Sequence, residues 1–588
     1  MEKKSQNKQK NKGLTVFICI ALALVVGLGA VVGIPKLLNK GDNNPTGPEV
    51  IDSNTKAPAV TAVPGQTADP NSTEPAGVET DEPVFTDPPI IITSAGGVSC
   101  SNPIATAIGN QVLENGGNAV DAAVAVAFAL GVLEPYASGI GGGGGMLVYD
   151  PSDNSSVFFD YRDAAGADMS MVFGKTGVPG FVLGMETAHN RYGTLPWGNL
   201  IQPAIEYADN GFAISESFAR HLQTSHSKLS SKKNPQFYNG SRLLLEGEVI
   251  RQTDLADTYR LIQRYGSNIF YGQGQPIRQH IIEALNYKLT DQDFDNYQVV
   301  ERTPVEGTYM GKRVISAPAP FSGTTLIQML EIAEAVDLGT YEEDLLRYAN
   351  VMASVSSVTL RDRRKNICDP AYHEVPGDLL SEEHMAELIE QVRSGSPEYI
   401  ETDPEHESTT HISVIDKNGM MVSMTNTLSD FFGLGTYVDG FFLNDTMVTS
   451  SQNPTARNYC LQGQRPRSFA CPTVIIGDDG FKMALGSSGG DRIPQGVMQV
   501  LIRYFRNGES LQEACDKPRI VMNGYNFYRE DREYIDPKSS LEANGFNRLL
   551  YSSREYFGAF NAVGITGDGT AFGAADQRRN GSVETTEP

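Results

Sequence analysis

Between Asn118 and Leu133 the chain reads NAVDAAVAVAFALGVL, alanine-rich and apolar almost all round, a pattern that predicts a helix covered by protein on every side. The run is too short to cross a bilayer, which takes about 20 apolar residues. A core must therefore enclose it, and a chain of 588 residues, 40% of them hydrophobic, can bury one large core or two medium ones. The next landmark, Ser138 to Met146 (SGIGGGGGM), sets five consecutive glycines ahead of a strand-like LVYD. A phosphate loop would need a lysine and a hydroxyl after the glycines, and a dinucleotide fingerprint a strand before them. With neither in place, the glycines read as points where backbone segments approach closely beside a site.

Net charge is −24, with Asp plus Glu at 71 against Lys plus Arg at 47, so the surface repels phosphate backbones and nucleic acid is not an expected partner. A small anion can still be held by a local arginine, because distant charge is screened. At the N-terminus, five lysines among the first twelve residues precede an uncharged apolar run from Leu14 to Ile34. This predicts a transmembrane signal anchor over 14–35, with 1–13 cytoplasmic and the rest of a single-pass protein outside the cell membrane. The nearest small-residue cleavage candidate, Gly27-Leu28-Gly29-Ala30, lies inside the run, which favours an uncleaved anchor over a cleaved signal. Residues 36–92 are rich in Pro and Thr and read as a disordered stalk. Globular sequence then extends to about Asp576, and 579–588 read as a polar tail.

Further along, Thr325 to Val336 and Glu382 to Val392 carry apolar residues at helical spacing. Arg393 to Ser408 (RSGSPEYIETDPEHES) is polar and acidic and reads as an exposed loop. It ends at Thr409-Thr410-His411, after which Ile412 and Val414, the turn Asp416-Lys417-Asn418-Gly419, then Val422 and Met424 predict strand, tight turn and strand. A threonine thus stands where an accessible loop enters a core hairpin. The eight histidines show no HExxH or paired-ligand spacing, so no metal site is expected. Six cysteines without a CxxC pair predict buried thiols with at most one or two bridges. Gly486-Ser487-Ser488-Gly489-Gly490 fits the G-x-S-x-G elbow of serine hydrolases, but no histidine follows His411 in the chain, which removes that reading.

Eight stretches spread from about Gly97 to Arg578 resemble the γ-glutamyltranspeptidase family in content and order: GGNAVDAAVAVAFAL, GIGGGGGM, FDYRDAA, GVPGFVLGMETAHNRYGTLPW, ERTPVEGTYMGKRVISAPAPFSG, TTHISVIDKNGMMVSMTNTLSDFFGLG, RPRSFACPTVII and GSSGGDRIPQ. The resemblance implies an α/β, four-layer αββα N-terminal-nucleophile hydrolase fold. It also implies a precursor cut just before Thr409 into a large chain (93–408) and a small chain (409–588) that stay associated. The free amine of Thr409 would then serve as base to its own hydroxyl, so no cofactor or metal is expected. By position, Thr427 would activate Thr409, and the backbone N–H groups of Gly489 and Gly490 would form the oxyanion hole. Arg162 would grip the substrate's α-carboxylate with a planar, two-pronged guanidinium, near Ser429, Asn444 and Ser468. Implied partners are γ-glutamyl small molecules or peptides as donors, with water or amines as acceptors.

Some positions depart from the family pattern. After Asn444 the family supplies a Glu or Gln and then an Asp to bind the substrate's α-ammonium, whereas this chain has Asp445-Thr446-Met447-Val448-Thr449. If this stretch were a strand, Asp445 and Thr446 would face opposite sides. Phe469 replaces the second serine of a family pair, and the segment from Asn444 to Arg465 is shorter than the one that supplies a lid in some members. These changes predict weak use of donors with a free α-amine. An acylase or poly-γ-glutamate-processing variant is the rival among enzymes. A catalytically silent wall-associated binding protein is the rival outside them.

Overall fold

The computed structural model describes residues 96–168, 176–339, 345–395, 408–524, 526–530, 547–551 and 554–586. The expected cytoplasmic segment, anchor and stalk lie outside the described residues, as does most of the acidic loop before Thr409. Among the described residues no helix is long and apolar enough to cross a membrane.

Two large antiparallel sheets dominate the fold. Their strands before residue 408 are β1 (Gly96–Cys100), β2 (Gly143–Asp150), β3 (Ser155–Tyr161), β4 (Val300–Arg302), β5 (Val305–Tyr309) and β6 (Lys312–Ser316). From there on they are β7 (Ser408–Ile415), β8 (Met421–Ser429), β9 (Thr473–Ile476), β10 (Lys482–Ser488), β11 (Ala559–Ile565), β12 (Ala571–Ala575) and β13 (Ser582–Thr586). A seven-stranded sheet has the order β13-β1-β7-β8-β2-β3-β4, and a six-stranded sheet the order β12-β11-β10-β9-β6-β5. The expected hairpin is present as β7–β8, its Asp416–Gly419 turn closed by Gly419 N–H on the Asp416 carbonyl.

Helices α1 (Pro103–Glu114), α2 (Ala119–Leu133), α3 (Phe181–Tyr192), α4 (Trp197–Asn210) and α5 (Thr253–Tyr265) share one apolar core with the outer face of the seven-stranded sheet. Helices α6 (Gly323–Ala335), α7 (Leu345–Asn366), α8 (Glu382–Ser394) and α9 (Ile493–Leu501) share another with the outer face of the six-stranded sheet. Between the sheets lies a third, smaller core that includes Phe158, Ile415, Val474 and Val563. The result is the four-layer αββα arrangement. All 15 residues of α2 are buried, as its pattern requires. Its start is fixed by Asn118 and Asp121, which cap it reciprocally, and by Asp416 of the hairpin turn, which accepts the Ala119 N–H at 3.1 Å.

The inner faces of the sheets are stitched by polar groups as well as apolar ones. Ser423 donates to the Leu485 carbonyl at 2.8 Å and Ser413 to the Asn561 carbonyl at 3.1 Å. His411 sits in this layer, its ring nitrogens 2.8 Å from Thr425 Oγ1 and 3.0 Å from Ser413 Oγ, and it packs directly on Gly486. The five described cysteines are buried free thiols. One sequence expectation fails here: 579–586 is no tail. Ser582–Thr586 is an edge strand paired to β1, and its polar composition suits a strand that is hydrogen-bonded to the sheet along only one border.

Candidate active site

Thr409 occupies an irregularity in the hairpin. Ser408 pairs with Ser429 and Thr410 with Asn426, so the partner strand carries one extra residue opposite Thr409, a β-bulge of the kind that re-aims a side chain. Thr409 Oγ1 donates to Thr427 Oγ1 at 3.4 Å, and Thr427 Oγ1 donates in turn to the carbonyl oxygen of Ser408. The Ser429 N–H completes Thr427's set at 2.8 Å. One hydroxyl therefore accepts from the candidate nucleophile and donates to the carbonyl that precedes it. Ser408 is anchored separately, its Oγ 2.8 Å from the Ala137 carbonyl and 3.1 Å from that of Tyr136. The glycine run lies against this junction as expected: Gly143 pairs with Thr427, and a Cβ on Gly142 would collide with the Thr427 carbonyl. Ser429 has φ +80°, a left-handed backbone that costs about 1–2 kcal/mol, and its buried hydroxyl has no hydrogen-bond partner among the described residues.

Gly489 and Gly490 follow β10, at the same end of the sandwich as Thr409, because His411 on β7 stacks over Gly486 on β10. Gly489 has φ +124°, and a Cβ there would stand 2.7 Å from Gly558 Cα, so only glycine fits. Two residues that the sequence reading missed close this end. Arg579, within the supposed tail, donates to Ser488 Oγ at 3.3 Å, and its guanidinium lies 5.9 Å from the centre of the Phe431 ring. Glu134, the C-cap of α2, accepts from Ser101 Oγ at 2.8 Å. Burial pushes the Glu134 carboxyl up to about 8, against the opposing pull of Ser101 and Arg579. No local signal marks either residue, since both act through long-range contacts. His411 is held neutral by burial, its pKa lowered to about 3.

Arg162 is buried at the end of β3. Its Nε donates to the Pro466 carbonyl at 2.7 Å and its Nη2 to the Arg467 carbonyl at 2.9 Å. Ser468 follows in the same run; its Oγ accepts the Ala470 N–H at 3.1 Å and its carbonyl accepts from Ser322 Oγ at 2.7 Å. Arg162 and Ser468 are thus brought together. Asn444 bonds the backbone of Gly141 and Gly177 through its amide nitrogen, and those of Gly177 and Thr446 through its oxygen, fastening the glycine run. The stretch after it is not a strand: Thr446–Thr449 is a 3-10 turn whose first N–H is capped by Asn444 Oδ1. Thr446 Oγ1 donates to Asp163 Oδ2 at 2.6 Å, and burial raises Asp163 to about 7, with Thr446 and Arg162 opposing. Phe469 lies beneath the guanidinium of Arg363, 3.5 Å from its ring centre. Among the described residues no three His, Cys, Asp or Glu side chains are gathered as a metal would require.

Comparison with known proteins agrees with this arrangement. Residues 105–586 match the family model for gamma-glutamyltranspeptidase. The chain is 39% identical to the capsule biosynthesis protein CapD proenzyme of Bacillus anthracis, over 84% of this chain and 91% of that one. It is 32% identical to the glutathione hydrolase proenzyme of Bacillus subtilis (strain 168), over 83% and 91% of the respective chains. Among solved structures, the cephalosporin acylase from Bacillus halodurans superposes with a TM-score of 0.75 at 24% identity, covering 86% of this chain and 98% of that one, which shows the shared fold. By family match, curated relatives and fold together, the chain belongs to the γ-glutamyltranspeptidase family of enzymes.

Proposed function

We propose that the chain cuts itself between Ser408 and Thr409 and then uses Thr409 to transfer or hydrolyse γ-glutamyl amides such as glutathione. The observation that carries this reading is the Thr427 hydroxyl, which joins Thr409 Oγ1 to the Ser408 carbonyl. In the cut, Thr409 Oγ attacks the Ser408 carbonyl carbon and forms an ester while the peptide C–N bond breaks. The leaving nitrogen takes the proton and becomes the free amine of Thr409; water then hydrolyses the ester. That amine is now the base for turnover, in which Oγ attacks a donor carbonyl, the Gly489 and Gly490 N–H groups receive the oxyanion, and the acyl-enzyme passes to water or an amine. Arg162 and Ser468 hold the donor's carboxylate, with Ser429 and Asn444 beside the glutamyl chain. Both curated relatives described above are named proenzymes, which supports the processing step.

Intact-mass analysis should show two fragments, the smaller starting at Thr409, while Thr409→Ala remains one chain and Thr427→Ala is cut more slowly. An active, uncut wild-type protein would falsify the mechanism, and an uncut, inactive one would favour the silent binding protein.

A second reading, the same chemistry on internal γ-glutamyl linkages, is favoured by one feature. Thr446, where the family supplies an ammonium ligand, bonds Asp163 instead. For location, we infer that 14–35 anchors the protein with the catalytic part outside. Protease added to intact cells should release it; recovery of the protein free in the medium with an N-terminus after Ala30 would establish a cleaved signal instead.

A further inference from the structure

Four buried charged groups without a part in the chemistry above stand behind Arg162 and Ser468, and we infer that they are positioning residues that hold these two carboxylate ligands in register. The inference rests on the proposed role of Arg162 and Ser468. Asp160 is the hub: Oδ1 accepts the backbone N–H of Arg162 at 3.1 Å and lies 3.3 Å from Arg465 Nε, while Oδ2 accepts from Arg302 Nε at 2.8 Å. Asp369 closes the ring, with Oδ1 3.3 Å from Arg302 Nη2 and Oδ2 accepting the backbone N–H of Arg465 at 2.9 Å. All four side chains are buried or nearly so, and two carboxylates balance two guanidiniums, as charges taken out of water require.

The connection to the subsite is direct. Arg465 begins the run Arg465-Pro466-Arg467-Ser468, and the Pro466 and Arg467 carbonyls are the ones that hold the Arg162 guanidinium. One aspartate therefore grips the backbone of Arg162, and the other grips the backbone that leads to Ser468. A cavity of about 320 Å³ is lined by Arg465, and another of about 620 Å³ by Arg302. A cut after Ser408 would leave Asp160, Arg162, Arg302 and Asp369 on one fragment and Arg465 to Ser468 on the other. The ion pairs then hold the two halves of one subsite together.

The test compares γ-glutamyl anilide with 4-aminobutanoyl anilide, the same donor without its α-carboxylate, on the processed protein and on Arg302→Gln, Arg302→Lys and Asp369→Asn. For Arg302→Gln and Asp369→Asn, KM for γ-glutamyl anilide should rise about tenfold with kcat within about twofold, the signature of lost ground-state binding. Turnover of 4-aminobutanoyl anilide should stay unchanged, and Arg302→Lys should recover part of the loss. Equal losses on both donors would reduce the network to a structural role, and no loss on either would overturn it. Should Asp369→Asn fail to fold, the two Arg302 variants decide. A wild-type protein that treats both donors alike, with Arg162→Ala indistinguishable from it, would remove the carboxylate subsite and this role with it; failure of the network alone leaves the Arg162→Ala effect intact.

Discussion

Under the proposed function, Thr446 and Thr449 are the residues that bear on the choice of donor. The resemblance implies polar and charged groups there opposite an α-ammonium, whereas Thr446 is bound to Asp163 and Thr449 to the Thr446 carbonyl at 2.9 Å. Loss of a charged hydrogen bond in a desolvated site costs about 1.5–3 kcal/mol, roughly ten- to a hundredfold in binding. The expected outcome is that kcat/KM for γ-glutamyl and glutaryl anilides lies within about tenfold of each other, because the glutaryl donor lacks only the ammonium. A strong γ-glutamyl preference would show that another group supplies the charge, with Asp445 the first to substitute. At this scale the place of Thr409 at the start of the core hairpin was legible from the sequence. Asp163, Glu134 and Arg579 were not, because each acquires its role from residues far away in the chain.

Among the elements, α2 ends on a buried carboxyl whose pKa is raised by burial. Its C-cap Glu134 is protonated in the folded protein up to about 8, whereas the unfolded carboxyl releases its proton near 4.5. Between these values the folded state binds the extra proton, so the stability it confers is complete below about 4.5 and is lost as pH rises toward about 8. The loss runs at about 1.4 kcal/mol per pH unit. Glu134→Gln keeps the oxygen that accepts from Ser101 but carries no charge. It should melt above wild type at pH 8 and converge with it near pH 4.5; a gap that does not change with pH would show that Glu134 does not titrate in this window. Helix α2 was thus legible as buried, from its all-round apolar face, while the carboxyl at its end was not. Similarly β7 and β8 were legible from their alternation and turn. The edge strand β13 was hidden because its polar side chains follow no alternation that distinguishes it from a tail.

Across the whole molecule, the cut proposed at Ser408–Thr409 divides both sheets between two chains. In the seven-stranded sheet β1 lies between β13 and β7, so a strand of the first fragment is flanked by two of the second. In the six-stranded sheet β6 pairs with β9 across the same division. The fragments should therefore co-elute in native buffer and separate only in denaturant, in one cooperative transition; separation on native gel filtration would contradict the interleaving. Sequence patterns were compatible with stacked sheets but did not specify this order, because pairing between strands hundreds of residues apart leaves no local trace. The hydroxyl of Thr427 reaches the Ser408 carbonyl across the β7–β8 pairing, from a strand that pairs on its other side with the glycine strand β2. For the proposed reaction this makes the cut a form of proofreading: a chain whose central sheet is unfinished lacks the contact that speeds the cut, so mature fragments come chiefly from chains that have completed it.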